Sequence, residues 1–227
     1  MNDRMYNLFA RVLDTIYWGG KLQGSENLPE QGPAIFIGNH LGALGPIGAV
    51  ATIPLRLHPW IHEHMVDYEK AAAYLNMDFV ERRLKLRPPL SGIVSKGLSH
   101  ITVPLLRFVG CIPVHRGYKN IQTTWEDSLA CLLDGKILLV FPEDESLGLN
   151  PQTNMAPFQK TIFRLGEKYY EQTRKNLAYY PVAIQESRNV KVGTPYWYNP
   201  SNSPSKERRR LKTLVEGAVI RMYLERE

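Results

Sequence analysis

Pro33-Ala34-Ile35-Phe36-Ile37-Gly38-Asn39-His40-Leu41-Gly42-Ala43-Leu44-Gly45-Pro46 is the stretch whose reading decides the fold. Ala34 to Ile37 form an unbroken apolar run with β-formers, the pattern of a strand covered on both faces. Gly38 ends that run and Asn39-His40 follow at once. Gly42, Gly45 and Pro46 then turn the chain into a helix of small residues around Ile47 to Thr52. A polar pair at the carboxyl end of a buried strand is where open α/β sheets place their chemistry. A lone histidine there is more often than not just a hydrogen-bonded core group, so the rest of the chain must decide.

Further apolar runs recur downstream. Cys111 to Val114 ends in His115-Arg116, Ile137 to Phe141 ends in Pro142-Glu143-Asp144-Glu145-Ser146, and Tyr179 to Ile184 and Val190 to Gly193 complete the set. Helical patterns lie between them, at 68–86, 90–109 with a break expected near Pro104, 121–133 stopped by Gly135, 157–174 and 204–225. Residues 21–24 read as a short strand, and 58–66 as ambiguous but strand-like. Buried strands alternating with helices predict one α/β domain over residues 1–227, with a central, mainly parallel or mixed sheet flanked by helices. Residues 3–18 predict an amphipathic helix, with Met5, Leu8, Phe9, Val12, Leu13 and Ile16 on one stripe. That stripe either packs on the domain or lies in a membrane interface, and Tyr17 and Trp18 at its end suit either place.

Composition narrows the partners. The 227 residues hold 44% hydrophobic and 22% charged residues, which is globular usage and excludes a disordered chain. Lys+Arg 28 against Asp+Glu 22 gives +6, which suits an anionic ligand or an anionic lipid surface. No nucleic-acid module accompanies that charge, so nucleic acid is not an expected partner. Cys111 and Cys131 make neither a disulfide framework nor a metal spacing. With Asp3, Arg4, Arg11 and Asp14 interrupting any signal-peptide core, a cytoplasmic setting is expected. The longest uncharged run, 31–55, carries Asn39, His40, five glycines and three prolines, so it is not a spanning helix.

Three strands thus end in polar groups: Asn39-His40, His115-Arg116 and Glu143-Asp144. A base, a fixed cation and a carboxylate at one sheet edge suit a site that handles a hydroxyl and an anionic group. Here the chain resembles the PlsC-like family of lysophospholipid and glycerophospholipid acyltransferases, through four blocks in order. Gly32 to His40 resembles the first motif, an Asn-His after a strand, normally continued as His-x-x-x-x-Asp. Gly110-Cys111-Ile112-Pro113-Val114-His115-Arg116 resembles the second, and Val140-Phe141-Pro142-Glu143 the third. Tyr180-Pro181-Val182-Ala183-Ile184 resembles the fourth.

The resemblance implies acyl transfer from acyl-CoA or acyl carrier protein to a hydroxyl of a lysophospholipid or glycerol-phosphate acceptor, on the inner face of a membrane. It makes His40 the base, with Asn39 beside it. Arg116 becomes the phosphate ligand, with Glu143, Pro142, Gly110 and Ser146 around the acceptor. No cofactor or metal is implied. The chain departs from the pattern twice. Gly45 stands where the family carries the Asp that orients the imidazole, and Asp144-Glu145 replace Gly-Thr. In the serine-protease triad, losing the equivalent carboxylate costs ~10⁴ in rate. Either another carboxylate, with Asp144 the candidate, turns toward His40, or the chain binds lipid or acyl carrier without turnover. His58, His62, Glu63 and His64 lie close together but lack a zinc-protease order, and exposed polar residues explain them better than metal ligands. No Gly-x-Ser-x-Gly elbow is present. The basic runs 82–87 and 206–210 read as solvated faces that could also seat the protein on anionic headgroups.

Overall fold

The apolar run at residues 34–37 lies at the heart of a sheet. In the computed structural model, which describes residues 3–42, 44–82, 84–115 and 121–225, it forms β2 (Ala34–Gly38), buried along its whole length. Its neighbours, β5 (Ile137–Val140) and β6 (Ala178–Ile184), are equally buried and parallel to it. Covering on both faces is why all three read as continuous apolar runs rather than alternating ones. Beyond β6 the sheet turns mixed: β7 (Asn189–Val192) is antiparallel to β6, and β1 (Lys21–Gln23) is parallel to β7. A two-residue strand, β8 (Tyr196–Trp197), also pairs antiparallel with β6 and had no sequence signal.

The chain divides into two compact units, Met1–Leu57 with Ser128–Glu227, and His58–Asp127. The first holds the sheet just described, with α1 (Asp3–Leu13), α2 (Leu44–Thr52), α6 (Arg164–Thr173) and α7 (Pro204–Leu224). The second holds most of β3 (Leu57–His62), which pairs in parallel with β4 (Ile112–Val114), together with α3 (Tyr68–Leu75) and α4 (Leu90–Val109). Helix α5 (Ile121–Leu133) begins in the second unit and ends in the first. The mixed α/β class expected from the sequence is the one observed.

Several boundaries differ from the expected ones. Helix α4 runs on through Pro104, which faces solvent, where the carbonyl that lost its amide partner can be hydrated. The helix expected from Pro157 begins later: Phe158 is in a β-bridge with Glu143, and regular α-helix starts at Arg164. Helix α1 continues as a wider π-turn over Asp14–Trp18. It packs through Tyr6, Ala10 and Trp18, and the Leu57 N–H donates to the Tyr6 hydroxyl at 3.1 Å. The Trp18 ring fits because residue 48 is glycine; a Cβ there would meet the ring at 2.5 Å. The helix packs on the domain, but of the expected stripe Phe9 and Leu13 are half-buried while Met5, Leu8, Val12 and Ile16 face outward, with Ile16 80% exposed.

The basic run at 206–210 is structural in part. Glu207 is fully buried and accepts from the Asn199 N–H, the Asn202 amide and the Arg210 guanidinium, while Arg208 pairs with Glu167 at 3.2 Å. Burial works against the Glu207 charge, but the bonds from Arg210, Asn199 and Asn202 outweigh it and hold its carboxyl below the usual glutamate range. A folded value below the unfolded one stabilises the protein above the ordinary glutamate pKa, and that stabilisation fades as pH falls through the folded value. Replacing Glu207 by Ala is therefore expected to cost about 2–4 kcal/mol in urea unfolding at neutral pH. The gap between variant and wild type should narrow on acidification.

Candidate functional site

Strand register places the two site carriers side by side. Strands β2 and β5 pair Ala34 with Ile137 and Ile37 with Val140, so the first residues past each strand advance together. Three residues beyond that last pair stand His40 and Glu143. The His40 N–H donates to Glu143 Oε1 at 2.5 Å, continuing in side-chain form the ladder that the strands have left. The other carboxylate oxygen, Oε2, accepts from the Ala156 N–H at 2.7 Å. A charged acceptor holding two backbone donors is a strong and directional clamp.

Asn39 performs the corresponding task toward β6. Its amide nitrogen donates to the Ile184 carbonyl at 2.9 Å, and its oxygen accepts from the Ile184 N–H at 2.8 Å. Both groups are buried, so the pair satisfies backbone atoms that would otherwise be orphaned at the sheet end. Asn39 is thus a positioning residue: it fixes where the strand stops and where His40 begins. The His40 ring is exposed and meets the edge of Phe141 at 5.5 Å between centroids, with 82° between the planes.

Glu143 is held by a strap that the sequence did not reveal. The Asp144 N–H donates to the Pro157 carbonyl at 3.0 Å, and the Gln159 N–H donates to the Pro142 carbonyl at 2.7 Å. Phe158, between them, gives its N–H to Glu216 Oε1 at 2.6 Å on α7, and Lys212 pairs with the same carboxylate at 2.9 Å. Next to this strap opens a groove of about 510 Å³, within the size range of small-molecule sites. Its walls are mostly apolar, with Leu147, Leu149, Met155, Phe158 and Ile220 facing Lys212.

Asp144, expected to turn toward the imidazole, is instead committed to Ser146. Its Oδ1 accepts from the Ser146 hydroxyl at 2.5 Å and from the Ser146 N–H at 3.2 Å. The Ser146 hydroxyl bond is the chief reason its carboxyl lies below the usual range. The aspartate therefore caps its own turn, as short acidic side chains do.

Gly45, where the resembled family carries Asp, has a role of its own. Its N–H donates to the His40 carbonyl at 3.0 Å, and a Cβ at this position would lie 2.1 Å from that oxygen. Any side chain must push the turn open. The backbone of His40 is consequently held at both ends, its N–H by Glu143 and its C=O by Gly45.

Of the remaining expected residues, Pro142 is buried at the strand end and Ser146 is exposed in the turn. Gly110 belongs to the other unit, where its positive φ of 83° ends α4 and its carbonyl lies 2.9 Å from His58 Nδ1. Arg116 lies outside the described residues. In that second unit His62 stacks on Tyr74 at 4.9 Å, and His115 pairs with Glu63 at 3.0 Å. Among the described residues no group of His, Cys, Asp and Glu is arranged to hold a metal ion. Neither Cys111 nor Cys131 is in a disulfide, and burial pushes the Cys111 thiol up to about 12, which leaves it unreactive at neutral pH.

Neither a protein-family model nor a curated protein matches the sequence. The chain is similar in structure to the crystal structure of the 1-acyl-sn-glycerophosphate (LPA) acyltransferase PlsC from Thermotoga maritima. That match has a TM-score of 0.62 at 14% identity, over 99% of this chain and 81% of the other. At that identity the likeness establishes a shared fold.

The turn at Gly45 can be tested directly. Gly45→Ala is expected to lower stability by about 1–3 kcal/mol, the usual range for overpacking. Gly45→Asp should be no better, since the Cβ alone meets the His40 carbonyl. Urea unfolding of both variants reads the effect, and a Gly45→Ala protein as stable as wild type contradicts the close approach.

Proposed function

We propose that this protein is an O-acyltransferase that moves a fatty acyl group from acyl-CoA or acyl carrier protein to a hydroxyl of a lysophospholipid or glycerol-phosphate acceptor. The observation that carries the reading is His40. It stands at the carboxyl end of a buried strand with its backbone clamped and its ring exposed, beside a strap that also walls an apolar groove. The acyltransferase-type fold agrees with it.

In the proposed reaction the His40 imidazole accepts the proton of the acceptor hydroxyl as its oxygen attacks the thioester carbonyl. The carbon–sulfur bond then breaks, the thiolate leaves and takes up the proton, and the oxygen ester remains. Glu143 positions His40 through its N–H, and Asn39 positions the strand end. The groove beside Leu147 and Ile220 would take the aliphatic chain. By the resemblance, Arg116 would bind the acceptor phosphate through paired hydrogen bonds. No metal or cofactor enters this scheme.

The protein would work at the cytoplasmic face of a membrane. No helix among the described residues is long and apolar enough to cross one. The outward stripe Met5, Leu8, Val12 and Ile16 on an amphipathic helix supports an interfacial seat. A second reading, binding of lipid or acyl carrier without turnover, is favoured by Gly45, because the turn leaves no room for the family's orienting carboxylate at that position.

Purified protein with labelled acyl-CoA or acyl carrier thioester and lysophosphatidate in detergent micelles separates the two. Acyl transfer predicts an acylated lipid product and a fall on the order of 10²–10⁴-fold in His40→Ala. Thioester and lipid binding without product would support the second reading.

A further inference from the structure

We infer that α4 is a second lipid-facing surface, with its outer face built to lie in the headgroup boundary of an anionic bilayer. This deepens the membrane-surface part of the proposed function and stands without the acyl-transfer part. The exposed side of the helix carries an apolar stripe, while three of its most buried positions are serine. Its buried side is Ser91, Ser95, Ser99 and Val103, at four-residue spacing, and it packs on α3, where Ala71 and Ala72 are buried. Ser95 and Ser99 hydroxyls donate back to the Gly92 and Lys96 carbonyls at 3.1 and 2.9 Å, and the Ser91 hydroxyl donates to Glu81 at 3.3 Å. The exposed side carries the stripe Leu90, Ile93, Gly97, Ile101 and Pro104, the two isoleucines each 67% exposed, with Lys96, His100 and Arg107 along one flank. Serines at buried positions with isoleucines at exposed ones depart from the rule for helices in water.

Charge identifies the apolar medium. From Arg82 through Trp125 the sequence carries eight Lys or Arg and no Asp or Glu, whereas the rest of the chain has 20 basic against 22 acidic residues. The net positive charge of the protein therefore resides in this stretch. Arg82, Lys85, Arg87 and Lys96 are exposed around the start and middle of α4. An aliphatic stripe rimmed by cations, with the Glu81 carboxylate held by Ser91 at 3.3 Å at its start, is complementary to acidic headgroups over acyl chains.

Vesicle partitioning of the full chain tests this, with phosphatidylcholine vesicles prepared with and without phosphatidylglycerol. Wild type should bind the anionic vesicles, and the double variant I93Q/I101Q should bind about tenfold or more weakly, as loss of two aliphatic anchors implies. Its melting temperature should be unchanged, because both side chains face outward. The I16Q variant removes an anchor of α1 separately, and I93Q/I101Q should weaken binding further in its presence. Unchanged partitioning of I93Q/I101Q overturns the proposal. So does a shift of solution mass from dimer to monomer, which would make the face a contact between copies. Loss of transfer from acyl carrier protein with vesicle binding intact would assign it to an acidic protein and overturns it too. Acyl transfer in micelles is measured alongside: if wild type makes no product there while I93Q/I101Q still loses vesicle binding, the enzymatic reading fails and this one stands.

Discussion

One carboxylate spans the ends of two parallel strands, and the geometry of the candidate site depends on it. Glu143 receives the His40 N–H on one oxygen and the Ala156 N–H on the other. The first bond extends the register of β2 and β5 past the point where their backbones part. The second ties that register to the returning strap at 157–159, and through Phe158 and Glu216 to α7. A histidine on a free loop would sample many positions. Here its peptide unit is held from the N–H side by Glu143 and from the C=O side by the tight turn at Gly45. Positioning of this kind is what a general base needs before any question of its proton affinity arises.

The same arrangement reframes the missing aspartate. In the resembled family, the residue five positions after the histidine is a carboxylate. In this chain the corresponding backbone runs so close to the His40 carbonyl that only glycine fits. The contact made at this position is a backbone one, from the Gly45 N–H to the His40 carbonyl. Asp144, the other carboxylate close by in sequence, is used to cap the turn at Ser146. The turn anchors the His40 main chain, and the ring meets the edge of Phe141.

The sheet centre was legible because three strands covered on both faces leave uninterrupted apolar runs at 34–37, 137–140 and 178–184. The polar pairs that follow β2 and β5 were legible for the same reason, since each interrupts such a run. Register was not: no local pattern says that residue 40 will stand opposite residue 143. Nor did Pro157 to Gln159 announce themselves as a strap, because a bridge of one residue pair carries no periodicity. Periodicity also finds a helix's apolar stripe without saying what it faces. Periodicity leaves the stripe with Met5, Leu8, Val12 and Ile16 open between a core and a membrane interface; in the fold these four face outward and Tyr6, Ala10 and Trp18 pack inward. In α4 the serines took the inner side, where close helix contact favoured small residues over apolar ones.

The measurement that bears most directly on the central claim is product formation by two substitutions at Glu143, compared under identical acyl donor and acceptor. In Glu143→Gln an amide oxygen can still accept one backbone N–H, whereas Glu143→Ala removes the bridge between the strand ends. The account predicts that folded Glu143→Ala loses acyl transfer by on the order of tenfold or more, while Glu143→Gln retains a measurable part of it. A folded Glu143→Ala protein that transfers acyl groups as fast as wild type would contradict it.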